Sequence, residues 1–334
     1  MVTIDVALVG LGRMGSIHLE TIRTRVPTLR LAAIAEPTAD LATPARVGAA
    51  AVYAEAAEAL RHPGVRACIV ATPTDSHGSI VAQALETGLH VFCEKPLTLA
   101  PAESIELGAA ARASGLVLQV GFWRRFAEPL VEARRLLHAG AIGRPLLLRL
   151  VQWDVDCPPA DWCDPARSGG IFVDMAVHEF DEIEWLLDEP ITEVTARPLA
   201  LVNEELAAVG DFDNAVVLAR LAGGAHAAVE LSRNGRYADD IRLEILGSDG
   251  AVLVETVPRA RVRLGTRDGL QTAWEQDGDV FLTAIAAQLD AFAATVAGRG
   301  DAPSVPGATA SIRAVAIGEA ARESAAGGLA VVPR

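Results

Sequence analysis

At 334 residues, 51% of them hydrophobic, the chain exceeds one ordinary core and calls for two domains of common size. A formal charge of -14 at pH 7, with no basic stripe, disfavours a nucleic-acid partner, because binding a phosphate backbone rests on clustered Lys and Arg. The four cysteines, Cys68, Cys93, Cys157 and Cys163, form no C-x-x-C pair and fit a reducing, cytoplasmic setting.

In chain order, residues 2–9 carry no basic n-region and read as a strand, not a signal peptide. Short apolar runs at 6–9, 31–35, 67–71, 90–93 and 116–120 then alternate with helical patterns, the βαβ rhythm of a doubly wound parallel sheet. After Phe122 the rhythm changes. A helix is expected over 128–138, a long extended run over 146–155 and a helix over 172–187. Strands follow at 194–196, 213–221, 225–232, 240–246 and 251–256, with turn signals at Gly223-Gly224 and Asp249-Gly250. Helical patterns cover 280–296 and 308–325. The weakly charged stretch 280–298 holds Gln288 and Asp290 near its middle, and a central Asp costs about 2.5–3.5 kcal/mol in a membrane, so it reads as a buried Ala-rich helix. The expected fold is α/β plus α+β. A nucleotide-binding domain spans 1–122, and a second domain built on an open, mainly antiparallel sheet spans 123–334, its helix at 308–325 a candidate to pack back on the first.

Gly10-Leu11-Gly12-Arg13-Met14-Gly15 follows the first strand and opens a helical pattern, the context that gives a G-x-G-x-x-G run its meaning. The first glycine permits a tight turn, the second lets backbone approach a pyrophosphate, and the third allows close helix packing. Glu36, about 20 residues on, is placed to take ribose hydroxyls and would repel a 2′-phosphate. NAD is therefore favoured over NADP, although Arg13 leaves NADP open. Thr72-Pro73-Thr74 ends another strand and is either a cofactor loop or a plain turn before a capped helix; His77 and Glu94 complete the cofactor candidates.

Lys95 ends the run Val91-Phe92-Cys93-Glu94-Lys95-Pro96, and the carboxyl end of such a strand is where a doubly wound sheet delivers its ligands. On the helix expected at 172–187, Asp174, His178 and Asp181 fall within a stripe roughly 60° wide, with Phe172, Ala176, Phe180, Ile183 and Leu187 opposite. The stripe is either a solvated polar face or a site in which Asp174 orients His178 as a general base. Gly169-Gly170 before it points to close backbone approach. No metal is expected: H-E-x-x-H would need histidine where Glu182 stands.

Together, the Gly10–Gly15 loop, Glu94-Lys95-Pro96, and Gly169-Gly170 with Asp174-Met175 and His178 resemble the Gfo/Idh/MocA family of glucose-fructose oxidoreductases and inositol dehydrogenases. The likeness runs through Gly121-Phe122-Trp123-Arg124-Arg125-Phe126, Tyr237 and the strand 241–247 into the C-terminal helix. It implies a Rossmann domain followed by a domain whose open sheet packs against another subunit in a dimer or tetramer. It also implies hydride transfer between a polyol, cyclitol or sugar CH-OH and the nicotinamide, with Lys95, Asp174 and His178 catalytic and the Lys95-Pro96 peptide cis. Trp123, Arg124, Asp154, Asp156 and Tyr237, with Asp174 and His178, are the substrate candidates. Inositol is the first guess, although Ala127-Glu128 stands before Pro129 where inositol-oxidising members often carry Asp-Pro. A glycosidase using NAD in a redox cycle and a non-catalytic NAD-binding regulator are the alternatives.

Overall fold

The computed structural model describes residues 3–38, 40, 48, 50–299 and 305–334. The chain divides into two compact units, Met1–Trp123 with Leu282–Ile312 and Arg124–Phe281 with Arg313–Arg334. The sequence places 282–312 in the second domain; in the structure this segment belongs with the first unit.

In the first unit, strands β1 (Ile4–Val9), β2 (Leu29–Ala35), β3 (Ala51–Tyr53), β4 (Ala67–Val70), β5 (His90–Cys93) and β6 (Leu118–Val120) form a parallel sheet in the order β3-β2-β1-β4-β5-β6. The order reverses between β1 and β4, so the loops after these strands flank the switch point where such sheets bind ligands. The central strands are apolar on both faces and β4 is buried throughout, because helices cover the sheet on each side. β3 escaped the sequence reading: three residues at the sheet edge, with Val52 exposed, are too short to show a period. Leu116 and Val117, expected in the last strand, precede it.

The helix Val280–Val296 lends most of its length to this unit. Gln119 Nε2 donates to the Gln288 carbonyl at 3.1 Å, Thr28 Oγ1 donates to Asp290 at 3.0 Å, and the Phe92 and Phe292 rings meet edge-on at 6.0 Å. The Asp290 carboxylate therefore has a hydroxyl partner, and the backbone of Gln288, whose side chain is fully buried, receives the Gln119 amide. No helix among the described residues is long and apolar enough to cross a membrane.

The second unit is built on eight strands. They are β7 (Pro145–Trp153), β8 (Ile191–Leu199), β9 (Asn214–Leu221), β10 (His226–Ser232), β11 (Asp240–Gly247), β12 (Ala251–Val257), β13 (Ala260–Thr266) and β14 (Gly269–Gln276). Their order is β14-β13-β12-β11-β7-β10-β9-β8, antiparallel throughout except where β7 runs parallel to β10. β13 and β14 were not expected from the sequence. β13 lies between β12 and β14, its buried Ala260 and Val262 alternating with Arg261 and Arg263, while β14 is the sheet edge, its Gln271, Thr272 and Glu275 exposed and without apolar alternation. Elsewhere alternation is plain: β9 buries Ala215, Val217, Ala219 and Leu221 and turns Val216, Leu218 and Arg220 outward. Leu218 shares an outward face with Leu147 of β7, and both are more than half exposed. The helix Glu128–His138 covers β12 and β13 on the buried side.

Candidate functional site

The glycine loop of the first unit is shaped by backbone. Gly10 has φ +92, and a Cβ there would lie 2.7 Å from the Ala71 carbonyl oxygen; a Cβ on Gly15 would lie 2.0 Å from the Gly10 oxygen. Gly12 has open space around its Cα and begins the helix Arg13–Arg25 without a side-chain cap. Helix amides left without a capping side chain, at a position open to a ligand, fit a dinucleotide pyrophosphate. Glu36 is buried at the end of β2. Its carboxylate accepts the Leu11 amide at 2.7 Å and the Thr38 amide at 2.9 Å, so it braces the glycine loop. Each oxygen retains a further lone pair for a ribose hydroxyl.

Lys95 follows β5 and is partly exposed; the Lys95-Pro96 peptide is cis. Its neighbour Glu94 faces inward. Oε1 meets Nε2 of His18 at 2.7 Å, and Oε2 accepts the Lys95 amide at 3.3 Å. His18 is fully buried on the helix that the glycine loop opens, edge-on to Phe92. A buried hydrogen bond thus ties that helix to the residue before Lys95. The sequence reading missed it, although histidine on a buried helix face three residues after the last glycine is a detectable signal.

His77 is a correction. Its ring is 1% exposed, with Nδ1 on the Pro96 carbonyl at 2.8 Å and Nε2 on the Thr72 carbonyl at 2.9 Å. Burial holds its pKa below the usual histidine range, with the two carbonyls opposing. A ring so engaged joins the Thr72 loop to the Lys95-Pro96 turn and is not presented to a cofactor. Thr72 accepts Ser76 Oγ at 2.7 Å, and Pro73 is exposed.

In the second unit, the helix expected over 172–187 is two elements: a π-helical turn, Ile171–Met175, closed by the Ala176 amide on the Ile171 carbonyl at 3.1 Å, and then the helix Val177–Leu187. The π turn inserts a residue, so a uniform 100° wheel does not place Asp174 relative to His178. His178 is only 8% exposed, which removes the solvated-face alternative. Gly169 and Gly170, at φ +84 and +65, lead into the turn, and the Phe172 carbonyl passes so close to the C-terminal helix that a Cβ on Gly318 would lie 2.5 Å from it.

Asp181 is also corrected. It is buried and takes both nitrogens of an Arg125 fork, at 2.8 and 2.6 Å, so it serves that ion pair rather than His178. Arg124, expected to line a substrate pocket, is 3% exposed; it donates to Glu179 at 2.5 Å, Glu182 at 2.9 Å and the Gln152 oxygen at 2.7 Å. Gln152 Nε2 in turn donates to Asp154 at 3.0 Å. Burial pushes the Glu182 carboxyl up to about 7 and raises Glu179 as well, with Arg124 opposing in both. Asp156 is exposed, and Tyr237, 63% exposed, donates its hydroxyl to Asp240. Trp123 is buried at the end of its unit.

Asp174 faces Arg233, whose Nη1 lies 3.9 Å from its Oδ2. Neither Arg233 nor its partner Asp211 was read from the sequence, because both lie far along the chain from the turn they serve. No group of His, Cys, Asp and Glu among the described residues is arranged to hold a metal ion.

Comparisons with known proteins cover both units. A family model described as the oxidoreductase family, NAD-binding Rossmann fold, matches residues 4–122, and the GFO/IDH/MocA C-terminal domain matches residues 130–253. The chain is 34% identical to the scyllo-inositol 2-dehydrogenase (NAD(+)) of Bacillus subtilis over 79% of this chain and 77% of that one. It is 33% identical to the myo-inositol 2-dehydrogenase of Thermotoga maritima, over 79% of each. The solved scyllo-inositol dehydrogenase from Lactobacillus casei with bound NAD(H) and scyllo-inositol superposes with a TM-score of 0.85 at 25% identity, covering 99% of both chains.

Proposed function

This chain belongs to the Gfo/Idh/MocA family of oxidoreductases, and from that premise we propose that it oxidises a ring hydroxyl of a cyclitol, an inositol first, with NAD. The observation that carries the reading is the presence of Lys95, Asp174 and His178 in a chain whose relatives across most of its length are inositol dehydrogenases. The dinucleotide would be held by Gly10, Gly12, Arg13, Met14 and Gly15, by Glu36 at the ribose, and by the loop Thr72-Pro73-Thr74. When bound, it supplies the hydride acceptor.

The chain's own residues handle the proton and the charge. His178 takes the alcohol proton, Asp174 holds the imidazole in register and binds substrate, and Lys95 stabilises the developing alkoxide. Trp123, Asp154, Asp156 and Tyr237 are the residues proposed to choose among hydroxyls. Arg124 holds Gln152, which steadies Asp154. The glutamate at 36 repels a 2′-phosphate, supporting NAD over NADP. The outward face of the eight-stranded sheet, with Leu147, Leu199, Val216 and Leu218 exposed, is proposed to pair subunits in a cytoplasmic homo-oligomer.

The test is NADH formation by the purified chain with a panel of inositols and sugars, run in parallel with NADP. Turnover of a cyclitol with NAD is expected; no turnover of any polyol would overturn the reading. Light scattering of Leu218→Glu against the unaltered chain tests the subunit face, with a smaller particle expected.

A further inference from the structure

The turn that carries Asp174 is clasped from outside its own segment. Arg233, in the loop that follows β10, is 1% exposed and its guanidinium is divided between three groups. Nη2 donates to Asp211 Oδ2 at 3.0 Å, Nη1 donates to Cys163 Sγ at 3.0 Å, and the same Nη1 lies 3.9 Å from Asp174 Oδ2. Asp211 closes the loop: its Oδ1 accepts the amide of Ile171, the first residue of the π turn, at 2.8 Å. Room for that carboxylate exists because residue 170 is glycine; a Cβ there would lie 2.6 Å from Asp211 Oδ1. One carboxylate therefore holds the backbone at the start of the turn, and the guanidinium it also holds faces the acid near the turn's end.

We propose that Arg233 is a positioning residue for Asp174, keeping its carboxylate aimed while Asp211 anchors the guanidinium to the turn. The inference rests on the reading of Asp174 and His178 as the acid-base pair of a dehydrogenase. Burial of Arg233 opposes its charge, and Asp174 and Asp211 together outweigh burial and keep it protonated. The arrangement needs a fork. A lysine ammonium is a point charge on a flexible stem and cannot serve Asp211 and Asp174 from two fixed nitrogens. Cys163, whose thiol burial pushes up to about 12, offers Arg233 an uncharged sulfur, so the positive charge is left to the two aspartates.

The experiment compares Arg233→Gln and Arg233→Lys with the unaltered full chain by crystal structure and by the pH dependence of kcat/KM for the polyol it oxidises. For Arg233→Gln the expected results are an Asp174 carboxylate displaced from its place in the turn, a kcat lower by about 10- to 100-fold, an unchanged KM for NAD, and an acid limb moved to higher pH. Arg233→Lys should restore the acid limb in part, since the charge returns, without restoring the rate. A folded Gln variant with Asp174 in place and the original pH profile overturns the proposal. Should Arg233→Gln not fold, the same two readouts on Arg233→Lys decide: an unmoved Asp174 with unaltered rate overturns it. If the unaltered chain oxidises no polyol, the functional reading has failed, and the crystal structures alone still decide whether Arg233 places Asp174.

Discussion

The glycine loop of the first unit and the acidic turn of the second both bend the backbone sharply around glycine, but they are held in opposite ways. The loop is a matter of missing atoms, since Gly10 and Gly15 stand where a Cβ would strike carbonyl oxygens at 2.7 and 2.0 Å. The turn is a matter of supplied charge. Arg233, Asp211, Arg124, Glu179, Asp181 and Glu182 are all buried, with Arg125 half-buried on Asp181, and they pack in and around the segment that bears Asp174 and His178. Local geometry can be written into six consecutive residues, whereas a charge lattice must be gathered from distant ones.

The strongest way to sharpen this contrast is to remove the proposed base. His178→Ala should lower kcat by about 10²- to 10⁴-fold while NAD binding to the glycine loop persists, checked by NADH formation and by cofactor titration. Next in size, Arg124→Met leaves Glu179 and Glu182 buried without their cation and should cost about 3–5 kcal/mol in denaturant unfolding. The same cluster gives a pH signature. Glu182 is raised from 4.5 to about 7, so the folded chain keeps a proton that the unfolded chain has lost. Its contribution to stability is full below pH 4.5 and is lost as pH rises through about 7, and Glu182→Gln should flatten the slope of stability in that window. A slope unchanged by the substitution would break the picture of a charge-built turn.

Gly10→Ala tests the other side. At φ +92 with the Ala71 oxygen at 2.7 Å, the added methyl should destabilise the chain by more than about 1 kcal/mol and abolish NAD binding, leaving the unfolding contribution of the Glu182 cluster intact. The smallest effect is expected from Tyr237→Phe. Its hydroxyl is spent on Asp240 at an exposed site, and KM for the polyol should rise only a few-fold, about 0.5–1 kcal/mol.

The same contrast explains what could be read in advance. Five of the six parallel strands and the glycine turn that opens the first helix were legible, because apolar runs and glycine spacing are local signals. β3 and β14 were not, being a short and a polar edge, nor was β13, whose inward residues alternate with arginines. Lys95, Asp174 and His178 could be picked out as candidates, but a helical wheel could not foresee the π turn, nor that Arg124 and Asp181 are engaged in internal ion pairs. His77 was misread for a related reason: its two carbonyl partners are backbone atoms, invisible in a list of side chains.

The membership of residues 282–312 in the first unit bears on modularity. A fragment cut after Phe122 would look complete by its strands, yet it would leave behind Phe292, Gln288, Asp290 and Ser311, and with them the partners of Phe92, Gln119, Thr28 and the Leu97 amide. A transplantable cofactor cassette from this protein is therefore discontinuous: whoever exchanges the nucleotide-binding part between relatives must swap two pieces of chain together, because a single crossover would set the strands of one relative against the helix of another.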